Sequence, residues 1–392
     1  MRPDIDLLIL GGGCAGLSLG MRLAALRESS PNTLILERRL HYTHDRTWCF
    51  WGDAGVNAQP WVHHSWQRMR LQLGSETLTI PCGDTPYHIL PSQHFYAGAK
   101  QMIDASSRVK LQLGCSITGR PQKREGMWHV QTTGGTVRAA QMIDTRPPAQ
   151  ASAGDAALWQ SFSGIEVESS VDCFDPTQIE LMHFAPPHPS FVAFTYVLPT
   201  SPRRALIEVT RFAIQPYGPQ ELAATLAEEV VRFTHGAAYA TLHHEHGILP
   251  MGLRHRKAAP DPSYLQVGLY AGAARPSTGY AFQRIQRWAE ACAVQLGKGA
   301  APNGHIADPL LRRAMDALFL QVIRANTTVA PALFMALFRH VEPPRMIRFL
   351  SDQATLSDYV AIIRALPAGL FLREIPPALR HHLMPYRAEL PA

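Results

Sequence analysis

Long hydrophobic runs, blocks of basic charge and paired cysteines are all missing from this 392-residue chain. It contains no run of the roughly 18 apolar residues that a spanning helix needs, so no transmembrane segment is expected. The net charge is +6, from 37 basic and 31 acidic residues, and it is spread without a cluster of about five like charges. That scatter argues against a nucleic-acid partner, though a diffuse positive balance still suits an anionic membrane surface. Six cysteines (Cys14, Cys49, Cys82, Cys115, Cys173 and Cys292) stand apart with no C-x-x-C pair. A disulfide framework and a zinc site are therefore disfavoured, no metal is expected, and a reducing compartment is favoured. Met1 to Asp4 run straight into a strand-like segment without a leader pattern. The expectation is a cytoplasmic protein, either soluble or peripherally attached to a membrane.

What is present is a folded chain: 46% hydrophobic and 17% charged, long enough for two lobes rather than one. Ile5 to Leu10 read as a buried parallel strand. Gly11, Gly13 and Gly16 follow as G-x-G-x-x-G, with Cys14 and Ala15 between them, and a helix carries Leu17, Leu19, Met21 and Leu23. The glycines allow a tight turn, a close approach of pyrophosphate and close helix–strand packing. The helix start offers free N–H groups to the anion. A second strand, "TLILERR", ends at Glu37 with Arg38 beside it. A carboxylate there accepts hydrogen bonds from an adenosine ribose, which favours FAD or NAD over NADP.

The continuation favours FAD. Instead of further helix–strand repeats come the extended pieces "RMRLQLGSETLTIP", a helix from Ser92 to Ala105, and a strand–meander ending on Asp144. Late in the chain, "YLQVGLYAGAARPSTGYAF" gives a strand, a Gly/Pro loop and a helix. Such a turn, with Gly268, Pro276, Thr278, Gly279 and Tyr280, can cover a second phosphate or the flavin ring, the alternative being a plain connecting turn. The segment "HDRTWCFWGDAG" at 44–55 is too aromatic for a solvated loop and too charged for a buried strand.

These pieces, "GGGCAGL", "HDRTWCFW", "MIDTRP", "LIEVT", "HGILPMG" and "ARPSTGYAF", resemble the lycopene β-cyclases of carotenoid-producing bacteria, over roughly residues 4–380. "RTWCFW" and "PSTGYAF" carry the resemblance, because generic flavin monooxygenases lack both. It implies an α/β protein with a Rossmann-like FAD domain of the flavin hydroxylase and geranylgeranyl reductase type, an antiparallel-sheet substrate domain and a C-terminal helical region. The expected division is 1–60, 88–150 and 260–300 for FAD, 61–87 and 151–259 for substrate, and 301–392 for the helices. Two places depart from the wider pattern. Gly268-Leu269 stands where the hydroxylases have Gly-Asp, and Ala281-Phe282-Gln283 replaces the small residue and proline that often follow T-G-Y.

The implied reaction turns acyclic lycopene ends into β-rings, by way of γ-carotene to β-carotene, with no net redox change. It needs an acid, a dry apolar channel and negative charge near a carbocation. The family requires reduced FAD without consuming it, with NAD(P)H as the reductant. In "RRALIEVTRF", strand alternation puts Leu206, Glu208 and Thr210 on one face and Ile207, Val209 and Arg211 on the other. Glu208 matches the family's acidic position, and burial in an apolar strand would keep it protonated. Its bland alternative is a surface residue or an ion pair with Arg204 or Arg211. Asp45 is the second catalytic candidate.

Arg46, Thr47 and Trp48 are expected at the flavin end, and Phe50, Trp51 and Thr210 along the substrate channel. The alternative for the aromatics is plain anchoring of a loop. Tyr280 and His94 are weaker candidates for the same pocket. "HHEH" at 243–246 lacks the i, i+4 helical spacing of a metal site. "ALFMALFRHV" and "PAGLFLREIP" either close a core or form an apolar collar on the membrane, with Arg339, Arg345 and Arg348 at the headgroups. Competing functions are a flavin monooxygenase or prenyl-chain reductase, which would consume reductant stoichiometrically, and a non-catalytic carotenoid-binding flavoprotein.

Overall fold

The computed structural model describes residues 4–52, 59–148, 153–253 and 261–383. Asp53 to Gly55 of the aromatic segment, the edges of the expected domains at 149–152 and 254–260, and residues 384–392 lie outside them. The chain opens with β1 (Ile5–Leu10), α1 (Cys14–Ala25) and β2 (Thr33–Leu36). Next come β3 (Thr47–Trp51), β4 (His64–Trp66), the hairpin β5 (Arg68–Leu73) and β6 (Glu76–Pro81), and β7 (Tyr87–Pro91) running directly into α2 (Ser92–Asp104). β8 (Val109–Gln112), β9 (Gln122–Arg124), β10 (Met127–Thr132) and β11 (Gly135–Asp144) follow. The middle of the chain is β12 (Ala156–Ser169), β13 (Gln178–Phe184), β14 (Phe191–Pro199), β15 (Arg204–Ala213), α3 (Pro219–Phe233) and β16 (Tyr239–Leu253). It then returns through β17 (Tyr264–Gln266) to α4 (Phe282–Gly297). It ends in α5 (Leu310–Ala325), α6 (Ala330–His340), α7 (Pro343–Leu350), α8 (Leu356–Ala365) and α9 (Ala368–Leu383).

The first sheet has the order β8-β2-β1-β11-β10-β9, with β17 also pairing β11. β8, β2, β1, β11 and β17 run parallel, while β10 and β9 add antiparallel edges. β1 is fully buried from Leu7 to Leu10 because helices and strands cover both its faces. The second sheet, β16-β12-β15-β14-β13-β5-β6, is antiparallel except for the β13–β5 pair. The β5–β6 hairpin thus leaves the first lobe and extends the second sheet. A small sheet, β3-β7-β4, lies between the two.

The second sheet has two unlike faces. Ile165, Val167, Val197, Ile207 and Val209 bury against Leu222, Leu226 and Val230 of α3. The spacing of those three leucine and valine positions, i, i+4 and i+8, is the apolar stripe of an amphipathic helix. The other face carries Leu158, Phe194, Leu206, Phe212 and Met251, and belongs to the largest core cluster together with Met335 and Phe338 of α6. α6 buries Leu333, Met335, Leu337 and Phe338, so "ALFMALFRHV" closes a core. A buried ion pair, Arg275 to Asp316 at 3.0 Å, ties the late Gly/Pro loop to α5. Ser277 donates to the same carboxylate at 2.8 Å.

Candidate functional site

The turn after β1 is built by absent side chains. Gly11 has φ +100°, and a Cβ there would meet Thr145 Oγ1 at 2.6 Å. A Cβ on Gly16 would come within 2.0 Å of the Gly11 carbonyl oxygen. Around Gly13, by contrast, no atom lies within 4 Å of the place a Cβ would take. Gly13 caps α1 with no side-chain hydrogen bond, and the first turn, Cys14 and Ala15 included, has no acidic residue. Free N–H groups therefore face open space, an arrangement that fits a pyrophosphate.

Glu37 lies at the end of β2 and accepts from the Gly12 N–H at 2.7 Å. It also accepts from the backbone N–H and Nε of Arg39, both at 3.0 Å. Burial opposes its ionisation, but the Arg39 and Gly12 donors outweigh burial and hold the carboxyl below its usual range. Arg39 lies over the rings of Tyr42 and Tyr96, at 4.8 and 5.2 Å, and reaches Asp45 at 3.1 Å. Asp45 also accepts from Tyr96 Oη at 2.9 Å and from Arg46 at 3.2 Å. Burial again opposes ionisation and the neighbouring arginines and Tyr96 overcome it, so Asp45 is also held low. Arg38 is exposed. The cation beside Glu37 is Arg39, one residue further on, which the sequence reading passed over.

The other nucleotide-side candidates gather around the same helix start. Asp144 ends β11 and accepts from Arg146 Nε and Nη2, at 2.9 and 2.7 Å. Gly268 has φ +98° and sits against Thr145 and Ala15. Its N–H donates to His305 Nε2 at 3.1 Å, which requires a neutral ring. Burial lowers the His305 pKa to about 4 and so supplies one. The loop Arg275–Tyr280 closes on itself through the Arg275 N–H to Tyr280 carbonyl bond at 3.0 Å, with Pro276 and Thr278 inside it. Gly279, at φ +72°, lets the loop lean on Gln160 of β12. The Cys14 thiol is pushed up to about 12 by burial, which makes it a poor nucleophile.

Strand alternation divides the aromatic segment. Trp48 and Phe50 point into the first lobe, against Phe95 and Phe282. Thr47, Cys49 and Trp51 point the other way, toward the second sheet. The structure therefore does not bring Phe50 and Trp48 to the sheet face, whereas Trp51 packs on Tyr87 and Tyr280 at 4.4 and 5.6 Å between centroids. Tyr196 Oη donates to Tyr87 Oη at 2.7 Å. His94 turns instead to the Trp61 carbonyl, at 3.3 Å.

Glu208 sits on that same sheet face. Across the strands it registers with Tyr196 on β14 and Gly164 on β12, and Gly164 in turn with Glu245 on β16. Thr210 Oγ1, buried at one ladder step further, donates to Glu208 Oε1 at 2.9 Å. Neither suspected arginine partner takes Glu208: Arg204 pairs with Glu166 at 2.6 Å, and Arg211 bonds Thr225 at 3.1 Å. Glu208 is enclosed by protein yet keeps some accessible surface. Those two facts agree if its carboxyl borders an internal space rather than bulk water. Burial, with the Glu245 charge second, raises its pKa to about 8.

Glu245 itself accepts from Thr47 Oγ1 at 2.7 Å. His243, two residues earlier on the same face, has its Nε2 3.4 Å from Glu245. His44 stacks on His243 at 3.7 Å and 10°. The donor atoms of His44, His243 and Glu245 lie within 4.8 Å of one another. Sequence reading missed this grouping because it tested "HHEH" only for helical spacing, whereas on a strand i and i+2 share a face.

Comparisons with known proteins agree with the geometry. The family model for lycopene cyclase protein matches residues 6–373. A lycopene beta-cyclase of Paracoccus sp. is 25% identical over 95% of this chain and 97% of its own. Another, of Pseudescherichia vulneris, is 26% identical over 76% of this chain and 75% of its own. Among solved structures, a geranylgeranyl bacteriochlorophyll reductase-like protein of Thermoplasma acidophilum superposes with TM-score 0.60 at 12% identity, covering 96% and 98% of the two chains. The p-nitrophenol 4-monooxygenase of Pseudomonas putida does so with TM-score 0.58 at 13% identity, over 99% and 100%. At such identities the likeness shows the fold, which is the mixed α/β fold of FAD-dependent monooxygenases and geranylgeranyl reductase-like proteins.

Proposed function

The chain belongs to the lycopene cyclase family, and from that premise we propose that it closes the acyclic ends of lycopene into β-rings by acid catalysis without net redox change. The observation that carries this reading is Glu208: a carboxyl with no ion-pair partner among the described residues, held by Thr210 beside aromatic side chains, with a pKa of about 8. At neutral pH it is a protonated acid beside aromatic and tyrosine side chains. Its proton passes from the carboxyl to the terminal double bond of the polyene. The neighbouring alkene attacks the resulting cation, and a different proton leaves. The faces of Trp51, Tyr280 and Tyr196 stabilise positive charge, and the same side chains help to exclude water. Asp45, ionised and bound by Arg39, Arg46 and Tyr96, belongs to the nucleotide side and not to the proton transfer.

The residues around α1 fit FAD. Gly11, Gly13 and Gly16 leave room for pyrophosphate, Glu37 stands at the ribose position, and Gly268 with the 276–280 loop lies beside the helix start. When bound and reduced by NAD(P)H, the flavin supplies negative charge near the carbocation. The first sheet with α4 then serves cofactor and the second sheet serves substrate; of the segment 61–87, the β5–β6 hairpin belongs to the second sheet and β4 to the small one.

Lycopene comes from a membrane, and among the described residues no helix is long and apolar enough to cross one. Leu356, Val360 and Ile363 are exposed along one face of α8, and Leu372 and Ile375 along α9. We assign membrane contact to these exposed apolar stripes. The arginines expected at the headgroups are already engaged: Arg339 with Glu76, and Arg345 and Arg348 with Asp358.

The test supplies lycopene in phospholipid vesicles to FAD-loaded protein. Glu208→Gln keeps shape but loses the transferable proton, so conversion to β-carotene should fall by at least ~10²–10⁴-fold while flavin absorbance persists. Near-normal conversion would remove Glu208 from the mechanism. In the same vesicles the wild-type protein should co-float and be released by carbonate or high salt. Release by detergent alone would refute a peripheral attachment.

A further inference from the structure

We propose that Glu245 is the second carboxylate of the site, the base that receives the proton lost from the ring carbon. This rests on the cyclase reading above. Glu208 and Glu245 lie in one cross-strand row with Gly164 between them, so their Cα atoms are about 10 Å apart. The intervening strand contributes no side chain to that gap. A Cβ on Gly164 would already press on Glu208 Cβ at 3.1 Å, so the glycine keeps open the space that separates the two acids. One acid thus stands on either side of a stretch of sheet face that carries no side chain of its own, over which we seat the folded polyene end.

Glu245 is also held in place. Thr47 reaches across from β3 to donate to it at 2.7 Å. His243 Nε2 lies 3.4 Å from it, buried and without a well-formed hydrogen bond. That nitrogen is an unused proton partner aimed at the carboxylate. His44 lies face to face on His243. Parallel rings hold their in-plane lone pairs parallel, so they do not converge on a common ion, and the cluster suits proton movement better than metal binding.

The proton balance closes. The O–H bond of Glu208 breaks as a C–H bond forms at the terminal alkene carbon. Ring closure moves the positive charge, and the ring C–H bond then breaks to leave the β double bond, its proton passing to a Glu245 oxygen. Return of that proton to Glu208, directly or through His243, restores both groups with no oxidant or reductant consumed. The titratable groups facing this space are Tyr196 from β14, Glu166 from β12, His243 and Glu245 from β16, Cys49 and His44 from the β3 arm, and Tyr87 and Tyr280.

The experiment measures lycopene conversion against pH for FAD-loaded wild type, Glu245→Gln and Glu245→Asp. The expected result is a fall of ~10²-fold or more for Gln and partial recovery for Asp. The alkaline limb, where Glu208 loses its proton, should move to lower pH in the Gln variant, because the neighbouring negative charge is gone. A purely structural role would not move that limb. Glu245→Gln at wild-type rate, or with a low rate and an unmoved limb, overturns the proposal. So does loss of wild-type activity on chelation that zinc restores. If Glu245→Gln does not fold, Thr47→Val keeps the carboxylate and removes its tether, and should slow cyclisation several-fold; an unchanged rate overturns the assignment. Wild-type protein that leaves lycopene unchanged refutes the cyclase reading itself, a separate outcome.

Discussion

Two clusters of buried carboxylates in this molecule are built from the same residue types and tuned in opposite directions. At the nucleotide side, Glu37 and Asp45 share Arg39, which is itself fixed between Tyr42 and Tyr96. Both acids are held ionised. On the sheet face no cation among the described residues pairs with Glu208, Arg204 being held by Glu166: Glu208 has Thr210, aromatic neighbours and a second acid, and its pKa rises to about 8. Burial pushes Glu37, Asp45 and Glu208 alike toward the neutral form, so burial does not distinguish these three. What decides the outcome is whether an arginine shares the pocket. A pocket whose carboxylates are already neutralised suits a role as fixed acceptor, as a ribose requires. A pocket with two acids and no base of fixed charge can hold one mobile proton.

The largest effect should come from removing the cation that separates the two regimes. Arg39→Leu leaves Glu37 and Asp45 buried without their shared partner. Breaking a buried pair by removing one member typically costs about 3–5 kcal/mol. Discounted for Arg39's partial exposure, a loss of about 2–3 kcal/mol is expected, read as a lower urea midpoint, together with loss of retained flavin. Glu208 chemistry should be untouched in whatever protein still holds flavin. An Arg39→Leu protein with unchanged stability and full flavin content would mean that the pairing is incidental.

The difference between the two clusters was only half legible in the sequence. Strand, glycines, helix, strand and Glu37 follow one another within a short span, so local spacing places them. For Glu208 the alternation fixed only its face, with Leu206 and Thr210 and away from Ile207 and Val209; that pattern fits a solvent-facing glutamate equally well, and its candidacy as the acid came from the resemblance. Arg39 was missed in favour of Arg38 because one residue decides whether a side chain leaves the strand end inward or outward. The same alternation separates Trp51 from Phe50, which the sequence had placed together along the channel, and leaves Phe50 with Trp48. Glu245 was hidden for another reason. Its partners are Thr47 and His44, some two hundred residues away in sequence, and only the approach of β3 to β16 brings them together. The pairing of Arg339 with Glu76 was invisible for the same reason, whereas Asp358 lies only 13 and 10 residues from Arg345 and Arg348 and is brought to them by the packing of α7 on α8, and so the membrane face had to be read from exposure.

Per pH unit, the smallest effect is a slope in stability, and it sharpens the contrast because it has the opposite sign to that of an ordinary paired carboxylate. In the unfolded chain Glu208 titrates near 4.5, and in the folded protein near 8. Between these values the native state holds a proton that the unfolded state has lost, so folding takes up a proton. Stability from this group is therefore fully present below about pH 4.5 and is lost as pH rises to about 8. Glu37 and Asp45 behave in reverse: their contribution is present at neutral pH and lost on acidification. Glu208→Gln deletes only the first slope. Relative to this variant the wild type should lose stability from pH 5 to pH 8, by about 1.4 kcal/mol per pH unit at most. Urea unfolding of both flavin-loaded proteins across that range measures the difference. A constant gap between the two curves would mean that Glu208 titrates like an exposed acid, and the proton on which the sheet-side pocket depends would not be there.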